Sequence, residues 1–112
     1  MAKGFGGDMS HMMREVQKQT QDMQRKLSEL EKDLKDRIVE GTAGGGMVTA
    51  YANCQRQLRG IKIAPEVVDP EDVGMLEDLV TAAVTQALKK AEEVHQEEMT
   101  KLTGGINIPG LF

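Results

Sequence analysis

The reactive side chains of this sequence are few and far apart. His11 stands near the start of a polar segment with no cysteine near it, and its expected role is an exposed polar residue. His95 follows Glu92 by three residues, the spacing with which di-iron helical bundles hold a metal. That chemistry needs two such pairs, and the sequence offers one, so no metal site is expected. Cys54 is the single cysteine, which rules out an intrachain disulfide and fits a reducing compartment. A plain free thiol is its expected state. Gly44-Gly45-Gly46 lacks the Lys-Ser/Thr ending of a phosphate loop and stands before a strand rather than a helix. A turn or a close backbone approach is its expected use. No acid, base and nucleophile come together, so the expectations are no catalytic residue, no cofactor, no small-molecule substrate and no enzyme.

The cations carry more information. Lys18, Arg25 and Lys32 recur at intervals of seven, and Arg14 and Lys35 lie three such intervals apart. On a helix with Met13, Thr20, Leu27 and Leu34 at heptad position a, the first three fall at f and the other two at b. Gln21 and Ser28 fill the remaining b positions, so the b and f positions, away from the apolar seam, are basic and polar, without carboxylates. Such a ridge can neutralise phosphates, the source of most non-specific affinity for DNA. The same residues also fit a solvated, ion-paired surface. Glu15, Asp22 and Glu29 precede Lys18, Arg25 and Lys32 by three positions, a stabilising helical spacing.

The helix that must hold these cations is written in the apolar pattern. Met9, Met13, Val16, Thr20, Met23, Leu27, Leu30 and Leu34 alternate at spacings of four and three. That heptad predicts a helix from about Asp8 to Lys35 packing along a narrow seam. Met13, Val16, Met23, Leu27, Leu30 and Leu34 are its expected helix or dimer contacts, and the glycine-rich residues 1–7 are expected to be mobile.

The middle of the chain favours strands. Arg37–Glu40, Met47–Ala52 and Gln57–Ile63 read as three antiparallel strands, with Gly41–Gly46 ending the first and Asn53–Arg56 turning between the last two. Tyr51 is expected in the core. A second helix is predicted from Pro70 to about Leu102, capped by Asp69. Val73, Leu76, Val80, Ala83, Ala87, Ala91 and Val94 form its expected buried stripe, whose alanines would admit a neighbouring helix closely. Gly104-Gly105 ends it, and an apolar tail runs over residues 103–112. The whole is expected to be one α+β domain, 1–112, of order α-β-β-β-α.

Size and composition point to a partner subunit. Aromatic residues make up 3% of the 112 residues, tryptophan is absent and eight methionines stand in. A helix of about 28 residues is about 42 Å long, while three short strands cover only about 23 by 14 Å. Much of each apolar seam must therefore meet another helix. Net charge is −4, distributed as +1 over 1–39, +2 over 40–65 and −7 over 66–112. Any polyanion footprint must be local. No apolar run marks a signal peptide or a bilayer span, so a cytoplasmic protein without membrane contact is expected.

Nearly the whole chain resembles the YbaB/EbfC family. The resemblance rests on Gly4-Phe5-Gly6 before a Met- and Gln-rich helix and on Glu40-Gly41 through Gly46-Met47-Val48. It continues in Asp69-Pro70-Glu71-Asp72-Val73-Gly74-Met75-Leu76-Glu77-Asp78-Leu79-Val80, in Ala82 through Ala91, and in Thr103-Gly104-Gly105-Ile106-Asn107-Ile108-Pro109-Gly110. It implies a tweezers-like homodimer with two long helices flanking a three-stranded sheet. It also implies sequence-tolerant binding of double-stranded DNA, a place in the nucleoid, and effects on nucleoid organisation and gene expression. On that reading Arg14, Lys18, Arg25, Lys32 and Lys35 are the candidate DNA contacts. Two positions depart from the family pattern: Cys54 follows Asn53 where glycine is common, arguing against a tight type I′ turn, and Ala64 precedes Pro65 where an acid is common. A second function class fits the same outline, a chaperone-like or protein-interaction module gripping clients with helical arms, Phe5 and Ile106–Phe112. A structural dimer bound to another protein is the third.

Overall fold

The computed structural model describes residues 2–104, with side chains from residue 9 onward. The order is α1 (Ala2–Asp36), β1 (Ile38–Ala43), β2 (Val48–Asn53), β3 (Leu58–Ile63), a 3-10 turn (Pro65–Val67) and α2 (Val73–Leu102). This is the α-β-β-β-α arrangement, with an open antiparallel sheet of order β1-β2-β3. The expected apolar tail beyond Gly104 lies outside the described residues. The chain divides into two compact units, residues 1–30 and 31–112.

In the first unit, α1 is helical from Ala2 rather than from Asp8. Glycine lowers helix propensity there but, unlike proline, does not break the hydrogen-bond ladder. The heptad leaves Met13, Val16 and Met23 at 62%, 61% and 45% exposure. Leu27 and Leu30 are half-buried.

In the second unit the core is the contact of α2 with β1 and β2. Val48, Ala50 and Ala52 on alternate positions of β2 are buried against Ala83, Ala87 and Ala91 of α2. The alanines thus receive a sheet rather than a neighbouring helix. The reason is Gly41, which lies inside β1 rather than ending it. A Cβ at Gly41 would overlap the Ala83 carbonyl oxygen and the Ala87 nitrogen, and would sit 2.9 Å from the Ala87 Cα. Glycine here lets helix and strand backbones touch. The turn comes later, at Gly44, Gly45 and Gly46, all with positive φ. Gln86 reaches from α2 to accept the Thr42 N–H at 2.6 Å, which covers a donor of edge strand β1.

Three further details differ from expectation. α2 starts at Val73, because Asp72 rather than Asp69 accepts the Met75 N–H. Asp69 instead closes the preceding turn by accepting the Glu71 N–H at 2.9 Å. Val73 is consequently exposed, while Met99 joins the core. Tyr51 lies half-buried on the face of β2 opposite α2 rather than in the core, since the alternating Val48, Ala50 and Ala52 take the buried side.

The β2–β3 connection is the four-residue segment Cys54-Gln55-Arg56-Gln57, with Arg56 left-handed at φ 64°. Asn53, fully buried, organises it. Its side-chain oxygen accepts the Gln55 and Gln57 N–H groups, each at 3.0 Å, and its amide donates to Gln57 Oε1 at 2.8 Å. A tight type I′ turn is absent, as Cys54 after Asn53 leads one to expect. The loop also holds the last turn of α1. Cys54 N–H donates to the carbonyls of Leu34 and Arg37 at 2.9 and 3.0 Å, and Gln55 Nε2 donates to that of Glu31 at 2.8 Å. Leu34 is fully buried there.

Candidate nucleic-acid interface

In the unit of residues 1–30, Arg14, Lys18 and Arg25 are exposed on α1. Of the three carboxylates that precede the repeating cations, Asp22 pairs as the spacing suggests, at 3.7 Å from Arg25. Glu15 pairs instead with His11 at 3.4 Å, and both are exposed. Lys18 and Arg14 have no carboxylate within 4.0 Å among the described residues. In the unit of residues 31–112, Lys32 and Lys35 are exposed on the last turns of α1, again without a carboxylate within 4.0 Å among the described residues.

Arg37, just past the end of α1, takes two acids of the same unit. Its guanidinium bonds Asp33 of α1 and, at 3.4 Å, Glu98 of α2. The hydrogen bond to Asp33 raises the guanidinium pKa above its ordinary value, against a smaller opposing effect of burial. Lys101 completes the cluster, 3.5 Å from Glu98. Arg37 thus joins the two helices, and no sequence signal singled it out.

The remaining reactive residues stay apart. Cys54 is fully buried, and burial pushes its thiol pKa up, which makes it a poor nucleophile. His95 is half-buried, and burial followed by Arg56 lowers its pKa, while Glu92 opposes them. Among the described residues no group of three or more His, Cys, Asp or Glu is placed to hold a metal ion. Among the same residues no helix is long and apolar enough to cross a membrane. What the interface offers chemically is exposed positive charge.

Comparisons agree on the origin of this arrangement. The family model described as the YbaB/EbfC DNA-binding family matches residues 6–106. A nucleoid-associated protein of Pelotomaculum thermopropionicum is 52% identical over 108 residues, covering 96% of this chain and 99% of the relative. Nucleoid-associated protein TTE0040 of Caldanaerobacter subterraneus subsp. tengcongensis is 53% identical over 113 residues, covering both chains completely. The crystal structure of the uncharacterized protein HP0035 from Helicobacter pylori superposes with a TM-score of 0.72 at 25% identity, over 80% of this chain and 94% of that one. With helix, sheet, helix and family pattern in agreement, the chain belongs to the YbaB/EbfC DNA-binding family.

Proposed function

We propose that the protein is a dimeric, non-enzymatic, nucleoid-associated protein of the cytoplasm. It binds double-stranded DNA with little sequence preference through the b and f cations of α1, and thereby affects nucleoid organisation and gene expression. The observation that carries this reading is the state of those cations. Arg14, Lys18, Lys32 and Lys35 are exposed with no carboxylate within 4.0 Å among the described residues, so phosphate displaces no protein partner there. Arg25 has one long, exposed pair, which is individually weak. The names of the relatives support the nucleoid.

Dimerisation is supported by apolar surface that its own chain leaves uncovered. Met13, Val16 and Met23 are exposed in the first unit. In the second, Leu58, Ile61 and Ile63 pair across β2 with the buried Ala52, Ala50 and Val48, and so share the side of the sheet that carries α2. They remain 46%, 40% and 37% exposed.

The test is the triple variant Lys18→Gln, Arg25→Gln, Lys32→Gln. It is expected to lose duplex affinity, with the slope of log affinity against log salt flattening by roughly one per lost phosphate contact. Unchanged binding in electrophoretic shift assays overturns the assignment of the stripe. The exposed Met9, Met12, Met13 and Val16 also favour a second reading, a client-holding arm. Suppression of a client's aggregation by a protein that shifts no duplex is the result that prefers it.

A further inference from the structure

We propose that the face of the sheet opposite α2 is a second nucleic-acid contact, which takes unpaired nucleotides with Tyr51 as the stacking platform and Lys62 as the phosphate partner. This goes beyond the duplex reading and can fail or stand without it.

The argument begins with alternation. Val48, Ala50 and Ala52 are buried against α2, so Thr49 and Tyr51 project from the other side of β2. Lys62 is the direct cross-strand partner of Thr49, and Gly60 that of Tyr51. Lys62 is therefore the diagonal neighbour of Tyr51, roughly 7–8 Å away in a regular ladder. A Cβ placed on Gly60 meets no atom within 4 Å, so the ground beside the tyrosine is open. A groove of about 400 Å³ runs from Tyr51 past Thr49 and Lys62 to Met47 and Pro65. An aromatic ring, a hydroxyl and an ammonium at one groove match a base, a sugar or base edge, and a phosphate. Stacking on an aromatic side chain is tolerant of sequence because every base has a π-face.

Charge favours the same occupant. Residues 41–65 contain Arg56, Arg59 and Lys62 and no carboxylate, in a chain whose net charge is −4. The loop before edge strand β3 carries Arg56, and Arg59, within β3, is the extra residue at the β2–β3 irregularity. The helix α2, with six carboxylates against three lysines, covers the opposite face, so its negative charge lies on the far side of the sheet from the open face. Glu40, across from Tyr51, is the one carboxylate on the β1 side of this face. A second copy of the chain finds better apolar surface elsewhere, at Leu58, Ile61 and Ile63 on the α2 side.

The chain has one tyrosine and no tryptophan, so its tyrosine emission reports Tyr51 alone. Titration with a short oligothymidine single strand, corrected for absorbance, is expected to quench that emission saturably. By fluorescence anisotropy of the labelled strand, Tyr51→Leu and Lys62→Gln are each expected to weaken binding about tenfold, while Tyr51→Phe, which keeps the ring, stays near wild type. Duplex binding is expected to survive all three and to fall only when the α1 cations are removed. Absent quenching, equal loss of single-strand affinity in Tyr51→Phe and Tyr51→Leu, or a tyrosine signal that changes with protein concentration alone would overturn the proposal. The last result would make this face an interface between copies.

Discussion

Gly41 has no side chain, yet it fixes the distance between helix and sheet. Gly41→Ala is expected to destabilise the fold by about 2–3 kcal/mol or more, since the new methyl meets backbone atoms that cannot rotate away. Urea unfolding checks this, and a cost below about 0.5 kcal/mol would mean that α2 moves freely off β1. His95 gives a pH dependence. Its folded pKa lies below the ordinary 6.5 because burial and Arg56 disfavour the charged ring. The unfolded chain then binds the proton more readily, so this contribution is complete above about pH 6.5. It is lost as pH falls from there through the lowered folded value. Thermal melts of His95→Gln are expected to vary less between pH 7.5 and 5 than those of wild type, and parallel curves would remove His95 from the account. Neither role was legible in the sequence. A glycine after a short strand reads as a breaker, and a lone histidine three residues after a glutamate gives no sign of its burial, until the fold supplies α2 and Arg56 as neighbours.

The helices were legible because their signals are local. The heptad of α1 and the buried alanines of α2 repeat along the chain, and the three strands announce themselves through β-branched residues between turn formers. Ends were harder, because several capping residues compete within a few positions. Asp69 and Asp72 both precede α2, and geometry selects Asp72. Asp72→Ala is expected to cost about 1 kcal/mol, measured by urea unfolding, with Asp69→Ala costing less because it loses only a turn bond. A larger loss at Asp69 would place the helix start where the sequence first suggested. What receives each apolar stripe was legible only in part. Periodicity marks a face but does not say whether a helix, a sheet or another chain lies against it. Hence the alanines of α2 met Gly41 and Ala50 rather than a helix, and Tyr51 left the core when its neighbours took the buried side.

The entire chain is acidic, at −4, and any affinity for DNA must come from where its cations stand rather than from their sum. The family pattern was readable across nearly all of the chain, but the DNA-contact assignment was not, because basic residues at heptad spacing serve a solvated ion-paired face equally well. At individual side chains Arg25 keeps its acid, Glu15 turns to His11, and Arg37 occupies Asp33 and Glu98. The direct test is a titration of nuclease-treated wild-type protein on several unrelated duplexes over a range of salt concentrations, read by electrophoretic shift. The account predicts a shift on every duplex, with affinity falling linearly in log salt by a slope of about 0.9 per phosphate contacted. Absence of any shift at low salt, or binding to one sequence that salt does not weaken, would contradict it.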